Sequence, residues 1–161
     1  MKPLRIGVLA VQGNFREHAA MLRRLGAEVV EVRRPDQLAG LDEALRDFDR
    51  PVFGTCAGMI VLDRNHLGLI DLEVRRNAFG RQVASFETDL ELPDDSRPLR
   101  AVFIRAPWIE EHGEGVEILA SVDGHAVAAR QGGLTVIAFH PELGADRRLH
   151  ERFLADVRAR G

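Results

Sequence analysis

The chain has a single cysteine, a single lysine and no long apolar run. One cysteine excludes an internal disulfide and favours the reducing environment of the cytoplasm. No stretch approaches the roughly 18 consecutive apolar residues of a membrane span, so we expect no membrane partner. The first residues lead directly into a strand-like run, and we therefore expect no signal peptide. The net charge of −3 at pH 7 argues against nucleic acid as the main partner, because binding to phosphates usually requires a basic excess.

The length of 161 residues predicts one domain with a core of ordinary size. An apolar run at 5–11, a helical pattern after it and a second apolar run at 27–32 predict a β-α-β unit with parallel strands. The second half is rich in short strand-like runs, and a helix is expected over 147–160. This order predicts an α/β fold with three layers. Further strands are expected at 84–92, 101–104, 115–122, 126–130 and 134–139, and a short helix at 43–48.

The only cysteine, Cys56, lies between an apolar strand-like run and a helical pattern, with Gly54 and Gly58 on either side. Strand, tight turn, nucleophile and helix form the nucleophile-elbow arrangement, in which small flanking residues allow the backbone to turn sharply. The positive end of the helix dipole favours a thiolate at such a position. A buried cysteine acting as a small hydrophobic residue is the alternative interpretation.

A second motif, His140-Pro141-Glu142, follows the predicted strand at 134–139. In an extended segment, residues two apart point to the same side, so His140 and Glu142 can lie together. A base oriented by a carboxylate is what a thiol nucleophile requires. Because open α/β sheets gather chemistry at the carboxyl ends of their strands, we expect Cys56, His140 and Glu142 to form a catalytic triad. An exposed polar turn is the alternative interpretation of His140-Pro141-Glu142.

The other histidines show no spacing typical of metal ligands, so we expect no metal site. Those considered are His66, His112, His125 and His150.

Six stretches, in order along nearly the whole chain, resemble the glutaminase subunits of pyridoxal 5′-phosphate synthases, which are class I (triad-type) glutamine amidotransferases. The elbow and the His-Pro-Glu motif are shared with other triad amidotransferases, whereas R-N-A-F-G-R-Q and V-F-I-R-A-P point to this family. The resemblance implies a flavodoxin-like α/β/α fold with a mostly parallel central sheet. The stretches are 6–13 with 16–18, 53–58, 66–69, 76–82, 102–107 and 139–143.

The resemblance also implies an activity that needs no cofactor, and a role for each matching residue. Cys56 would attack the side-chain amide of L-glutamine, giving a thioester and ammonia, and His140 and Glu142 would complete the triad. Arg76 would bind glutamine, and an arginine suits its α-carboxylate because the guanidinium donates two hydrogen bonds. Ile104 and Arg105 would form another part of the glutamine pocket. The backbone N–H of Ala57 is placed to donate to the oxyanion.

The implied partner is the synthase subunit, which would receive the ammonia, build pyridoxal 5′-phosphate and activate the glutaminase on docking. In the family, the first helix lies near this interface, which would give Arg16, Glu17 and His18 a role in partner contact. The polar face of an amphipathic helix explains the same three residues equally well. Asn14 and Glu17 also form a capping-box pattern at the start of this helix.

The chain departs from the family between Asp42 and Glu43, where about two dozen residues, the size of a strand plus a helix, are absent. In the family, a loop there binds glutamine and helps to form the oxyanion hole. A smaller shortening lies between Leu62 and His66. A chain without the loop should be unstable and nearly inactive, because one oxyanion donor is worth about 100- to 1,000-fold in rate. We therefore favour a loop that escapes observation over a true deletion.

Two other functions fit parts of this pattern. A glutaminase subunit of another biosynthetic pathway, such as histidine synthesis, would share the triad but should lack R-N-A-F-G-R-Q. A catalytically dead module that binds the partner would keep the fold but lack the oxyanion loop.

Overall fold

A computed structural model covers residues 1–161 without a break in the numbering, and the structure describes residues 2–10, 13–33, 49–80 and 84–160. The residues absent between Asp42 and Glu43 are therefore missing from the sequence itself, and the expectation of a loop that escapes observation is wrong. The junction itself, the predicted helix at 43–48 and Val11 lie outside the described residues.

The chain divides into two compact units, one formed by residues 1–50 and 147–161 and the other by residues 51–146. The single domain expected from the chain length stays a prediction. The elements run, in chain order, β1 (Arg5–Leu9), α1 (Phe15–Arg24), β2 (Glu28–Val32), β3 (Val52–Thr55), α2 (Ala57–Leu62), β4 (Leu72–Arg75), β5 (Ser85–Leu90), β6 (Leu99–Ile104), β7 (Trp108–His112), β8 (Glu117–Val122), β9 (His125–Gln131), β10 (Leu134–Ile137), a 3₁₀ turn (Pro141–Leu143) and α3 (Arg148–Arg160).

The first unit contains the predicted β-α-β motif. Strands β1 and β2 pair in parallel, as a helical crossover between them requires. The core of this unit joins β1, α1 and α3 through apolar side chains. Its buried members are Ile6, Leu22, Ala27 and Leu154.

The start of α1 differs from the capping-box prediction. Asn14 is the N-cap residue but makes no side-chain capping hydrogen bond. Its carbonyl oxygen accepts the N–H of His18 at 3.2 Å, so the first turn is closed through the backbone. A capping box depends on one side-chain rotamer, and the spacing of Asn14 and Glu17 does not fix that rotamer.

The second unit is built on a sheet with the strand order β3-β10-β9-β7-β4, and β8 pairs with β9. Strands β3 and β10 are parallel, whereas β10, β9, β7 and β4 are joined by antiparallel pairings. Strands β5 and β6 form a separate antiparallel pair. Because β3 and β10 run side by side, their carboxyl ends place Cys56 and His140 at one edge of the sheet.

The second unit has an aromatic core beneath that edge. Phe103 and Phe139 are fully buried, and their ring centroids lie 5.4 Å apart. Phe86 stacks on Phe103 at 4.6 Å, and Phe79 meets Phe103 at 5.7 Å in an edge contact. Since Phe139 directly precedes His140, this packing fixes the backbone from which the histidine projects.

Among the described residues, every helix is too short or too polar to span a lipid bilayer.

Candidate active site

Cys56 occupies a strained turn between β3 and α2. Its backbone has φ 48° and ψ −101°, a conformation that costs a residue with a Cβ atom about 1–3 kcal/mol. Its N–H donates to the carbonyl oxygen of Ile137 on β10 at 2.8 Å, which ties the turn to the neighbouring strand. The nucleophile elbow predicted from the sequence is therefore present in the geometry of the chain.

The two glycines around Cys56 differ in their surroundings. A Cβ atom on Gly54 would lie 2.7 Å from Leu62 Cδ1 and 3.0 Å from the carbonyl carbon of Gly58. A Cβ atom on Gly58 would have nothing within 4 Å. Only Gly54 is therefore required by the close approach of α2 to β3.

His140 is held by its backbone and by its ring. Its N–H donates to the carbonyl oxygen of Val102 on β6 at 2.8 Å. Its Nδ1–H donates to Glu142 Oε1 at 2.7 Å, and the Glu142 side chain is fully buried while that of His140 is 14% exposed. With Nδ1 turned to Glu142, Nε2 is the ring nitrogen left for Cys56.

The ring of His140 titrates far from its ordinary range. Burial lowers the pKa of His140, but hydrogen bonds to Cys56 and Glu142, together with the charges of these groups, outweigh burial and raise the pKa from 6.5 to about 9. At neutral pH the ring is therefore an imidazolium. The structure brings Cys56, His140 and Glu142 together, and their role as a catalytic triad stays a prediction.

Arg76 and Arg105 lie in two loops that touch through the backbone. The N–H of Ala78 donates to the carbonyl oxygen of Ala106 at 3.1 Å. Arg105 has a left-handed φ of 45°, and its N–H donates to the carbonyl oxygen of Ala84 at 2.7 Å. Both arginines are exposed, and among the described residues neither guanidinium has a hydrogen-bond or ion-pair partner. Two guanidinium groups are thus available to an anion.

Ile104 and Ala57 complete the predicted set. Ile104 ends β6, two residues beyond the carbonyl that holds His140, and is 37% exposed. Ala57 is the first residue of α2, and a backbone N–H in the first turn of a helix has no partner within that helix. All the predicted site residues lie in the unit formed by residues 51–146.

Sequence reasoning missed Asp63, a charged residue that is only 1% exposed. Its side chain accepts hydrogen bonds from the backbone N–H groups of Asn65 and His66 at 2.9 and 3.1 Å. An aspartate followed by polar residues after a helical pattern is typical of an Asx turn, and this signal could have identified Asp63 as the residue that ends α2. Its burial could not be read from that pattern.

Across the described ranges, no group of three or more His, Cys, Asp or Glu residues could hold a metal ion.

Comparisons with known proteins identify the family. Residues 41–159 match the model of the SNO glutamine amidotransferase family. The chain is 47% identical to the pyridoxal 5′-phosphate synthase subunit PdxT of Mycobacteroides abscessus, with 99% of this chain and 100% of the relative covered. It is 48% identical to the protein of the same name from Acidothermus cellulolyticus, with 96% and 94% covered.

The alignment with the Mycobacteroides abscessus relative is longer than this chain. It spans 193 positions against 161 residues, so at least 32 positions have no counterpart here. A shortening of this size agrees with the departure noted between Asp42 and Glu43.

Solved structures give the same fold. A crystal structure described as a glutamine amidotransferase matches with a TM-score of 0.83 and 39% identity, covering 94% of this chain and 97% of that one. A glutamine amidotransferase from Thermotoga maritima matches with a TM-score of 0.64 at 14% identity, covering 99% and 86%, and shows the fold alone. The predicted α/β class is confirmed. This chain belongs to the SNO glutamine amidotransferase family, and its enzyme class, glutamine amidotransferase, follows from that membership.

Proposed function

We propose that this protein hydrolyses L-glutamine to L-glutamate and ammonia, and delivers the ammonia to a synthase subunit that makes pyridoxal 5′-phosphate in the cytoplasm. The observation that carries this proposal is the strained Cys56 on its elbow, hydrogen-bonded to a His140 whose ring is oriented by the buried Glu142. This arrangement supplies a nucleophile, a proton carrier and an orienting carboxylate without a cofactor.

The first half of the reaction forms a thioester. His140 takes the proton of the Cys56 thiol, the sulfur attacks the side-chain amide carbon of glutamine, and the resulting imidazolium of His140 gives this proton to the amide nitrogen. The C–N bond then breaks and ammonia leaves. A pKa of about 9 keeps His140 protonated at neutral pH, so the proton required by the leaving group is already in place.

The second half releases glutamate. Water attacks the thioester carbon while the now neutral His140 takes a proton from it, and the C–S bond breaks to regenerate the thiolate of Cys56. Throughout, the 2.7 Å contact between Nδ1 and Glu142 keeps Nε2 directed at the reacting atoms. The backbone N–H of Ala57 would donate to the oxyanion of each tetrahedral intermediate.

The two exposed arginines would bind the amino-acid end of the substrate. Arg76 and Arg105 lie in loops joined by the Ala78–Ala106 hydrogen bond, and a guanidinium can donate two hydrogen bonds to one carboxylate. Ile104 would border the same pocket, since it ends the strand that anchors His140.

The names of the relatives support a synthase partner, because each relative is itself called a subunit of pyridoxal 5′-phosphate synthase. Arg16 and Glu17 are exposed on α1 and available to a partner. His18 is different, because its Nδ1 lies 3.0 Å from Nε2 of His150 on α3. We therefore assign partner contact to Arg16 and Glu17, and a packing role to His18.

The test is glutamate release from L-glutamine, measured with and without a purified pyridoxal 5′-phosphate synthase subunit. We expect release that increases when the subunit is added and falls at least about 1,000-fold in Cys56→Ala. Gly58→Ala, which changes a residue beside the nucleophile without steric conflict, is the matched control for folding of the elbow. No release by the wild-type chain with the subunit bound would contradict the proposal.

The shortening of the chain favours one second candidate, a module that binds the synthase subunit without hydrolysing glutamine. At least 32 aligned positions of the Mycobacteroides abscessus relative have no counterpart here. Binding of the synthase subunit without glutamate release would support this module over the enzyme.

A further inference from the structure

We infer that Asp63 is a positioning residue for the reaction, because its carboxylate links the helix that follows Cys56 to the strand that leads to Arg76. This inference rests on the proposed function and adds to it a residue that sets the distance between the nucleophile and the substrate-binding arginine.

The carboxylate of Asp63 is buried at the end of α2. Asp63 is the C-cap residue of this helix, and its side chain is 1% exposed. A buried carboxylate costs several kcal/mol unless it is hydrogen-bonded on both oxygens. The donors that surround it therefore decide what the residue does.

One oxygen, Oδ1, organises the turn after α2. It accepts the N–H of Asn65 at 2.9 Å and the N–H of His66 at 3.1 Å. It also lies 2.7 Å from Nδ1 of His66, which must donate because a carboxylate only accepts. The backbone carbonyl of Asp63 accepts the N–H of Gly68 at 2.7 Å. These contacts are local and would be expected of a residue that only ends a helix.

The other oxygen, Oδ2, makes the contact that is not local. It accepts the N–H of Val74 on β4 at 3.3 Å. At this point the pairing of β4 with β7 is irregular, since Glu73 pairs with Glu111 but Val74 pairs with Ile109. The irregularity coincides with the residue that Asp63 binds.

The hydrogen bond between Asp63 and Val74 joins two elements that lie next to site residues in the sequence. Helix α2 begins directly after Cys56 and spans six residues to Leu62, and Arg76 is two residues beyond Val74. A short helix is stiff along its axis, so the carboxylate at its end, together with the bond from the N–H of Arg64 to the carbonyl oxygen of Leu72 at 3.0 Å, holds β4 at a fixed distance from the elbow. Loss of the bond at Oδ2 would leave Cys56 in place and allow Arg76 to shift.

The decisive variant is Asp63→Asn. An asparagine can present its oxygen to the three donors of Asn65 and His66, but then its NH₂ group faces the N–H of Val74, a donor against a donor. We expect the KM for glutamine to rise about tenfold while kcat changes much less. The reason is that the variant loses a hydrogen bond to a charged acceptor, and this bond positions Arg76, which binds the substrate. We also expect the Val74 amide to exchange with solvent faster by a similar factor, as measured by NMR.

Two controls separate the local contacts of Asp63 Oδ1 from the contact of Oδ2 with Val74. Asp71→Asn makes the same chemical change at an exposed aspartate of the same connection, which pairs with Arg64 at 2.7 Å. His66→Ala removes the ring from Oδ1 but leaves the bond to Val74. Both should keep the KM within about twofold of wild type and leave the Val74 amide protected.

A second variant covers the case in which Asp63→Asn does not fold. An ester in place of the Val74 amide removes the N–H donor and leaves every side chain unchanged, and it should give the same rise in KM. A wild-type KM in this ester variant, or unchanged Val74 exchange in Asp63→Asn, overturns the inference. Absence of glutamate release by the wild-type chain would instead count against the proposed function, since the exchange measurement does not depend on activity.

Discussion

At His140, burial and hydrogen bonding act on the pKa in opposite directions. Burial disfavours the charged ring, whereas Cys56 and Glu142 favour it, and the balance raises the pKa to about 9. A group with a raised pKa in the folded state stabilises the fold while it is protonated. This stabilisation is fully present below pH 6.5, the ordinary pKa of histidine, and is lost as the pH rises through about 9.

We therefore expect the free energy of unfolding to fall between neutral pH and about pH 10, and to fall less steeply in Glu142→Gln. Glutamine keeps the shape of the side chain but removes the charge that holds the proton on His140, so the pKa of His140 moves back toward 6.5. Urea denaturation at a series of pH values measures both slopes. Parallel slopes in the two proteins would mean that Glu142 does not hold this proton.

At the residue scale, the proximity of Cys56, His140 and Glu142 could be predicted from the sequence because each residue follows a recognisable local pattern, while their catalytic role stays a prediction. Cys56 follows one strand, His140 follows the neighbouring parallel strand, and Glu142 is two residues further on. Arg76 and Arg105 were identified only through the family resemblance, since nothing in a single sequence separates a substrate-binding arginine from a surface arginine. Asp63 was missed because its burial depends on the packing of β4 against the end of α2.

The elbow is an element in which two glycines of one motif have different roles. Gly54 lies where α2 approaches β3, and a Cβ atom there would meet Leu62 at 2.7 Å and the backbone of Gly58 at 3.0 Å. Gly58 lies inside α2 with open space around its Cα atom. The motif looks symmetrical in sequence, but only one of its glycines is sterically required.

We expect Gly54→Ala to destabilise the protein by about 1–3 kcal/mol, the usual cost of overpacking a tight contact. Gly58→Ala should be neutral or should stabilise it by up to about 1 kcal/mol, because alanine is the better helix former. Thermal or urea denaturation of the two variants provides the comparison. Equal effects would show that the elbow relaxes around a Cβ atom at Gly54.

The elements themselves were predicted with uneven success, for identifiable reasons. The strands β5, β6, β8, β9 and β10 were expected within a few residues of their observed bounds, because apolar runs between turn residues mark them. Strand β7 was missed since its sequence, W-I-E-E-H, is mostly polar. It forms through pairing with β4 and β9, and a partner strand is not visible in a local pattern.

On the scale of the whole molecule, the missing segment is the feature most open to experiment. We expect that inserting the additional residues of the Mycobacteroides abscessus relative between Asp42 and Glu43 raises kcat for glutamine by about 100- to 1,000-fold, the value of one oxyanion donor. A glycine-serine insertion of the same length is the control, since it restores the length without the donor. The rate of glutamate release, measured with the synthase subunit present, is compared between the two insertion variants. Equal rates would contradict the role assigned to the segment.

The family, the fold class and the enzyme class were all predictable from the sequence, because the motifs that carry them run through most of the chain and the comparisons confirm them. The division into two compact units was not predicted. Its cause is that residues distant in sequence share a core, and local patterns carry no information on such pairing.

The first unit joins the beginning of the chain to its end, with Ile6 and Leu22 packed in the same cluster as Leu154. A ribosome releases β1 and α1 well before α3, since residues 51–146 are made in between. At about 5–20 residues per second, the synthesis of residues 51–146 alone takes roughly 5 to 20 s. During this time the nascent N-terminal segment displays apolar side chains that its own chain has not yet covered, and exposed surface of this kind is prone to aggregation until α3 is made.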